Sequence, residues 1–387
     1  MPERRAYRDR DPGLCGDAPV VAFLRTPYGW PYLLTPLIPL AVVLDLAGAA
    51  AGIIFATSAL GIIPTAALMG RATEELAARS GPGIGGLLNV TFGNAPELII
   101  ALFALGQGLH EVVKASIIGS IIGNILLVLG AAMLAGGIGR EKQTFSKTSA
   151  SVQTSMLLLA AAALIMPAIF ELVEGKGLPL PGAEIVDYGS TVEHLSLAVA
   201  VVLIFTYVAG LFFSLKTHRD LFNPEYGDEG TWGWSTRKSV FALAVAGVLV
   251  GVMSEVLVGS ITEASHAVGL SEFFIGVIVV AIVGNAAEHW VAVLVARKDK
   301  MDLAVNIAIG SSAQIALFAA PVLVICSFFI GPHPMALVFN GFEVGALVLA
   351  VMIANHVTNE GESTWFEGLQ LLAVYVVLGL TFLFAGT

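Results

Sequence analysis

Apolar runs recur along almost the whole chain, separated by short polar or Gly/Pro-rich interruptions. A run of about 20 apolar residues spans a bilayer as a helix. On this basis the pattern predicts eleven spans, at 32–48, 51–70, 83–106, 112–136, 148–170, 194–215, 238–260, 272–296, 302–330, 335–356 and 364–385. The first contains Pro36 and Pro39, and only a small-residue run divides it from the second. The prediction is therefore an all-α polytopic membrane protein.

Composition agrees with that class. Of the 387 residues, 57% are hydrophobic and only 12% charged, with a mean hydropathy of +0.86. A water-soluble chain of this length needs more polar surface. Cys15 and Cys326 fall in a predicted tail and a predicted helix, so no disulfide framework is expected. The N-terminal stretch lacks the apolar segment and cleavage site of a signal peptide.

The net charge of −10 decides little, because topology follows the placement of Lys and Arg. With the N-terminus inside, all of the 19 Lys and Arg except Lys114 and Lys176 fall on the cytoplasmic side. The layout is thus N-in and C-out, and losing any one span would spoil the agreement. A prokaryotic inner membrane suits the short tails.

The chain repeats itself. GNAPE at 93–97 recurs as GNAAE at 284–288. GRATE at 70–74 recurs as GSITE at 259–263, and Gly119-Ser120 recurs as Gly310-Ser311. Three short matches in the same order define two halves. Each half holds five spans, an odd number, so the halves enter the membrane in opposite directions. Inverted repeats of this kind place a binding site near the midplane, between the repeats. The expected organisation is a cytoplasmic tail at 1–31, an extra helix at 32–48, a first repeat at 49–216, a polar linker at 217–236 and a second repeat at 237–387.

Glu97 and Glu288 lie inside apolar stretches, where a charge is costly unless it has a function. Gly93, Asn94, Gly284 and Asn285 weaken the surrounding helix, and Pro96 removes an N–H from the first. Both motifs are therefore expected to be locally unwound, with backbone carbonyls facing a cavity. Carbonyls, amides and carboxylates are hard oxygen donors that suit Ca²⁺, and no Cys/His cluster invites a softer metal. Ser120, Asn124, Ser311 and Gln314 offer further oxygens, although such residues also serve simply to pack membrane helices.

The same pair of carboxylates suits protons. Without a cation, two neighbouring carboxylates in an apolar setting repel each other and favour protonation. A dication or protons would each discharge the site, whereas two bare carboxylates would be costly at the midplane. That is the physical condition for exchange. Glu74, Glu255, Glu263 and His289 are candidates for a proton path or gate. Solvation at helix ends would also account for Glu74 and Glu263, and a hydrogen bond to Glu288 for His289.

The segments GRATEELA, GGLLNVTFGNAPELIIALFAL and ASIIGSIIGNILLVLG, with MSEVLVGSITEA, VGNAAEHWVAV and NIAIGSSAQIALF, resemble the calcium/cation antiporter superfamily, specifically its Ca²⁺/H⁺ exchanger branch. The resemblance runs from about residue 33 to the C-terminus. It implies ten core helices in two inverted five-helix repeats after one extra helix, a Ca²⁺ site centred on Glu97 and Glu288, and export of Ca²⁺ from the cytosol against protons. The partners implied are Ca²⁺, protons and the lipid bilayer, with no cofactor and no nucleic acid. Two features depart from the family pattern: Pro96, and a linker with only Asp220, Glu225, Asp228 and Glu229 as acids. The alternatives within the fold are a Na⁺/Ca²⁺ exchanger and a broader cation/H⁺ antiporter. An intramembrane hydrolase would need a Ser-His-Asp or His-rich arrangement that the spans lack. A channel would not need paired carboxylates.

Overall fold

The computed structural model describes residues 29–182, 187–217 and 233–385, without the side chains at 81–84, 86, 90 and 215. Cys15, most of the expected tail and the four linker acids lie outside the described residues.

A 3₁₀ turn, Trp30–Leu34, leads into α1, Leu37–Leu46. Then come α2, Ala51–Phe92; α3, Ala95–Gly106; α4, His110–Gly137; α5, Lys147–Val173; and α6, Ser190–Phe212. The second half holds α7, Thr236–Val268; α8, Glu272–Arg297; α9, Met301–Ser327; α10, Gly341–Thr358; and α11, Trp365–Ala385. Among the described residues nine helices are long and apolar enough to cross a membrane, and Trp30–Leu46 and Ala95–Gly106 are shorter apolar helices.

The span predicted at 83–106 is not one element. The helix begun at Ala51 keeps helical hydrogen bonding to Phe92, and α3 starts afresh at Ala95. Within α2 the chain nevertheless reverses. An ideal Cβ on Gly85 would lie 2.4 Å from the Ala77 carbonyl oxygen, whereas eight residues of straight helix cover about 12 Å. The polar GRATEELA segment does not end α2, because Arg, Ala, Glu and Leu are good helix formers.

Local sequence sets the other boundaries. Ser146, Ser235 and Ser271 cap α5, α7 and α8 by accepting from Ser149 N, Lys238 N and Phe274 N at 3.3, 3.3 and 3.1 Å. Asn340 and Glu343 form a reciprocal capping box at the start of α10. Gly269, at φ 68°, terminates α7 in the left-handed conformation.

Burial ranks the helices. In α4, 83% of the apolar window is buried, against 22% in α6 and α11. So α4 is the central helix, and α6 and α11 carry peripheral faces rich in exposed apolar side chains such as Val202, Phe205, Val377 and Phe384. α2 packs along α7, and α4 crosses α8 closely. The connections after α4 and α10 are tied by a two-stranded antiparallel ladder, β1 (Gln143–Thr144) with β2 (Glu362–Ser363), in the register Gln143↔Ser363 and Thr144↔Glu362. Lys142 Nζ donates to Glu362 Oε2 at 2.6 Å beside it.

Among the described residues π-helical stretches lie at Gly123–Val128 in α4, Ile275–Val280 in α8 and Ile315–Ala319 in α9, and a fourth, Phe213–Thr217, directly continues α6. Those of α4 and α9 fall just after Ser120 and Ser311, at nearly the repeat offset. π-Bulges widen a helix locally and tend to occur at functional positions.

Candidate functional site

The two carboxylates reach the same place from opposite helices. Glu97 stands in the first turn of α3, where the positive end of the helix dipole favours an anion. Glu288 stands within α8. Each carboxylate is seated on the other motif's glycine. An ideal Cβ on Gly284 would lie 3.1 Å from Glu97 Cγ, and one on Gly93 would lie 3.5 Å from Glu288 Oε1. The two approaches are reciprocal but unequal: at Gly284 a side chain would crowd Glu97, whereas at Gly93 it would meet Glu288 at ordinary contact distance and conflict instead with the Asn89 carbonyl oxygen, 2.7 Å away.

Two hydrogen bonds between neighbouring polar side chains also cross between the halves, and a third lies within the second half. Asn94 Nδ2 donates to Gln314 Oε1 at 2.8 Å. Asn285 Nδ2 donates to Ser120 Oγ at 3.2 Å and to its own helix at Ala281 O, 2.9 Å. Ser311 Oγ donates to Glu288 Oε2 at 3.4 Å. The amides spend their N–H groups on the frame, and Asn94 Oδ1, Asn285 Oδ1 and Glu97 Oε2 are buried oxygens that accept no hydrogen bond. Buried oxygens normally find a donor, so these three are oxygens available to a hard cation among the described residues. Among the described residues no group of three His, Cys, Asp or Glu side chains is placed to hold a metal ion. Any cation here would therefore rely on two carboxylates plus neutral oxygens, a set that matches calcium chemistry.

The expected unwinding occurs in one motif only. Asn94, at φ −95° and ψ 19°, separates α2 from α3. Proline's ring excludes the carbonyl four residues back in a helix, and for Pro96 that residue is Phe92, where α2 ends. GNAAE instead runs through unbroken helix, Ala281–Arg297. With Ala287 in place of proline, the second motif keeps its ladder, and the irregular turn lies upstream at Ile275–Val280.

The other candidates divide. Asn124 is buried in the π-segment of α4, its Nδ2 without an acceptor. Glu74 stands on α2 with its side chain half exposed, 3.2 Å from Arg71. Glu255 and Glu263 are exposed on α7, and neither makes a hydrogen bond or ion pair among the described residues. The hydrogen bond expected from His289 to Glu288 is not formed: His289 Nε2 is buried without a partner, and Ser311 serves Glu288 instead. Adjacent residues on a helix do not face one another, which explains the miss. Sequence reasoning overlooked Arg71 and Glu75. Arg71 pairs with Glu74 at 3.2 Å and with Glu75 at 3.4 Å. The run R-x-x-E-E was the available signal, at i, i+3 and i+4 spacing.

The sodium/calcium exchanger protein family matches residues 50–216 and 238–384. The chain belongs to this family. Its relatives carry the finer resemblance. The "Ca(2+)/H(+) antiporter" of Aphanothece halophytica is 46% identical, over 86% of this chain and 90% of its own. The "Ca(2+)/H(+) antiporter ChaA" of Bacillus subtilis is 43% identical, over 89% of this chain and 96% of its own. Among solved structures, native YfkE superposes with a TM-score of 0.77 at 40% identity, covering 92% of this chain and 99% of that one. An H⁺/Ca²⁺ exchanger, CAX, matches at 0.69 with 15% identity, over 93% of each chain, which supports the fold alone. The resemblance read from the paired motifs is thus met at the level of family and fold.

Proposed function

We propose that the chain is a Ca²⁺/H⁺ antiporter of a prokaryotic inner membrane, exporting Ca²⁺ from the cytosol in exchange for protons by alternating access. The observation that carries this reading is the reciprocal seating of Glu97 on Gly284 and Glu288 beside Gly93. Two carboxylates from two repeats, each three residues after an asparagine whose amide oxygen is buried and unpartnered, can neutralise one dication or take up protons in its stead. The printed names of relatives at 43–46% identity support the choice of ions.

In this reading Glu97, Glu288, Asn94, Asn285 and Gln314 hold the ion, Ser120 and Ser311 orient the amide and carboxylate, and Glu74, Glu255 and Glu263 line the routes to it. The repeats are 49–216 and 237–387, with the N-terminus cytoplasmic and the C-terminus outside. Reorientation is favourable when the pair is discharged by either ligand and unfavourable when both carboxylates are bare, because burying unpaired charge is costly. The test is Ca²⁺ uptake into inverted vesicles. Uptake should require an inward-acid pH gradient and persist without Na⁺. Strict dependence on Na⁺, or competition by K⁺ for the site, would overturn the choice of coupling ion.

A further inference from the structure

The inverted repeat is broken at two charged positions of one cluster, Arg71 and Glu75, the second of which stands where α7 has Ala264. Gly70, Thr73 and Glu74 of α2 match Gly259, Thr262 and Glu263 of α7, but Arg71 stands where α7 has Ser260. Arg71 is held firmly. Its side chain is 14% exposed and lies 3.2 Å from Glu74 Oε2 and 3.4 Å from Glu75 Oε1. Glu75, 1% exposed, also accepts from Trp234 N at 2.9 Å, which ties this cluster to the start of α7. Glu74 is left 53% exposed. On α7 the counterpart hydroxyl is spent within the helix: Ser260 Oγ donates to Val256 O and Leu257 O at 3.0 and 2.8 Å. Among the described residues, Glu263 and Glu255 are exposed there without an ion pair.

The geometry points to Arg71 as the residue that makes the two mouths of the transporter electrically unequal, weakening the attraction of divalent cations at the α2 mouth and so raising the KM for Ca²⁺ on that face. A guanidinium keeps its charge at any physiological pH. It offsets one of the two carboxylates beside it, whereas the α7 mouth presents Glu255 and Glu263 with no such offset. On the layout above, the α2 mouth is the cytoplasmic one. At about 10 Å through solvent, one elementary charge changes the local concentration of a dication by about threefold, and salt screens the effect.

The inference rests on the Ca²⁺/H⁺ reading, and the experiment separates the two. Reconstituted wild type, Arg71→Ser, Arg71→Lys and Gly259→Arg are assayed for proton-driven ⁴⁵Ca²⁺ transport, with Ca²⁺ varied on each face in turn, at low and high ionic strength. Arg71→Ser should lower the KM about threefold on the α2 face and leave the other face unchanged, and Arg71→Lys should retain the wild-type KM. Gly259→Arg places a cation four residues before Glu263, at an exposed position where an added Cβ meets nothing within 4 Å. It should raise the KM on the α7 face. Both shifts should shrink at high salt, which loss of structure would not produce. An unchanged KM in Arg71→Ser, an equal change on both faces, or a shift insensitive to salt overturns the inference. Should Arg71→Ser fail to assemble, an unchanged KM in Gly259→Arg overturns it as well. Absence of proton-driven transport in the wild type would fail the underlying reading instead.

Discussion

Gly284→Ala probes the seat of Glu97 with a single methyl group. The added Cβ would lie 3.1 Å from Glu97 Cγ and 3.7 Å from both Glu97 Cδ and Ile100 Cδ1. Carbon atoms pack best at about 3.5–4.0 Å, so the carboxylate arm must retreat by about 0.5 Å. Overpacking of this kind costs roughly 1–3 kcal/mol when nothing yields. Glu97 can yield, so most of the effect should appear as misplacement of its oxygens, not as unfolding. A functional site tolerates roughly 0.5 Å of displacement before it loosens. A loss of about 1.4 kcal/mol in ion binding corresponds to about a tenfold higher KM for Ca²⁺. The assay is ⁴⁵Ca²⁺ uptake into proteoliposomes, paired with thermal unfolding of the purified protein. Gly259→Ala is the control, since its Cβ meets nothing. A wild-type KM in Gly284→Ala would refute the reasoning, because Glu97 could not then occupy this seat in the transport cycle.

Three further outcomes follow from the geometry. Gln314→Ala removes the acceptor of the 2.8 Å bond from Asn94 and should cost about 1 kcal/mol of ion binding, a fivefold or so rise in KM, read from the same uptake assay. Pro96→Ala lets the helix ladder extend across the break after Phe92; hydrogen exchange should show added protection in the amides at 93–95, and unaltered exchange would argue that Asn94 alone makes the break. Glu362→Gln removes the partner whose hydrogen bond and charge raise the pKa of Lys142 above 10.5. A raised lysine pKa stabilises the folded state at neutral pH and ceases to do so as pH climbs through it. The small melting difference from wild type should therefore be present at pH 7, vanish at strongly alkaline pH and shrink with salt.

The membrane class and the paired motifs were legible because each rests on many residues at once: apolar runs, basic loops and three ordered matches. Glu97 and Glu288 stood out because carboxylates are rare in such runs. What escaped the sequence depends on contacts across the repeats. Nothing in GNAPE or GNAAE tells that each carboxylate sits on the other's glycine. The two motifs also read as equivalent breaks, yet Pro96 breaks its helix and Ala287 does not, since a glycine and an asparagine alone leave the hydrogen-bond ladder intact. The π-segments of α4 and α9 share no motif: one opens on Gly123-Asn124, the other follows Gln314. Arg71 lay in plain view, but its meaning needed the distances to Glu74 and Glu75.

The central claim is that Glu97 and Glu288 form one site that takes either Ca²⁺ or protons. The most direct measurement is ⁴⁵Ca²⁺ flux in proteoliposomes with imposed pH and Na⁺ gradients, comparing wild type with Glu97→Gln and Glu288→Gln. The account predicts flux driven by the pH gradient and indifferent to Na⁺ in the wild type, and no flux in either folded variant. Wild-type exchange in either variant would contradict it.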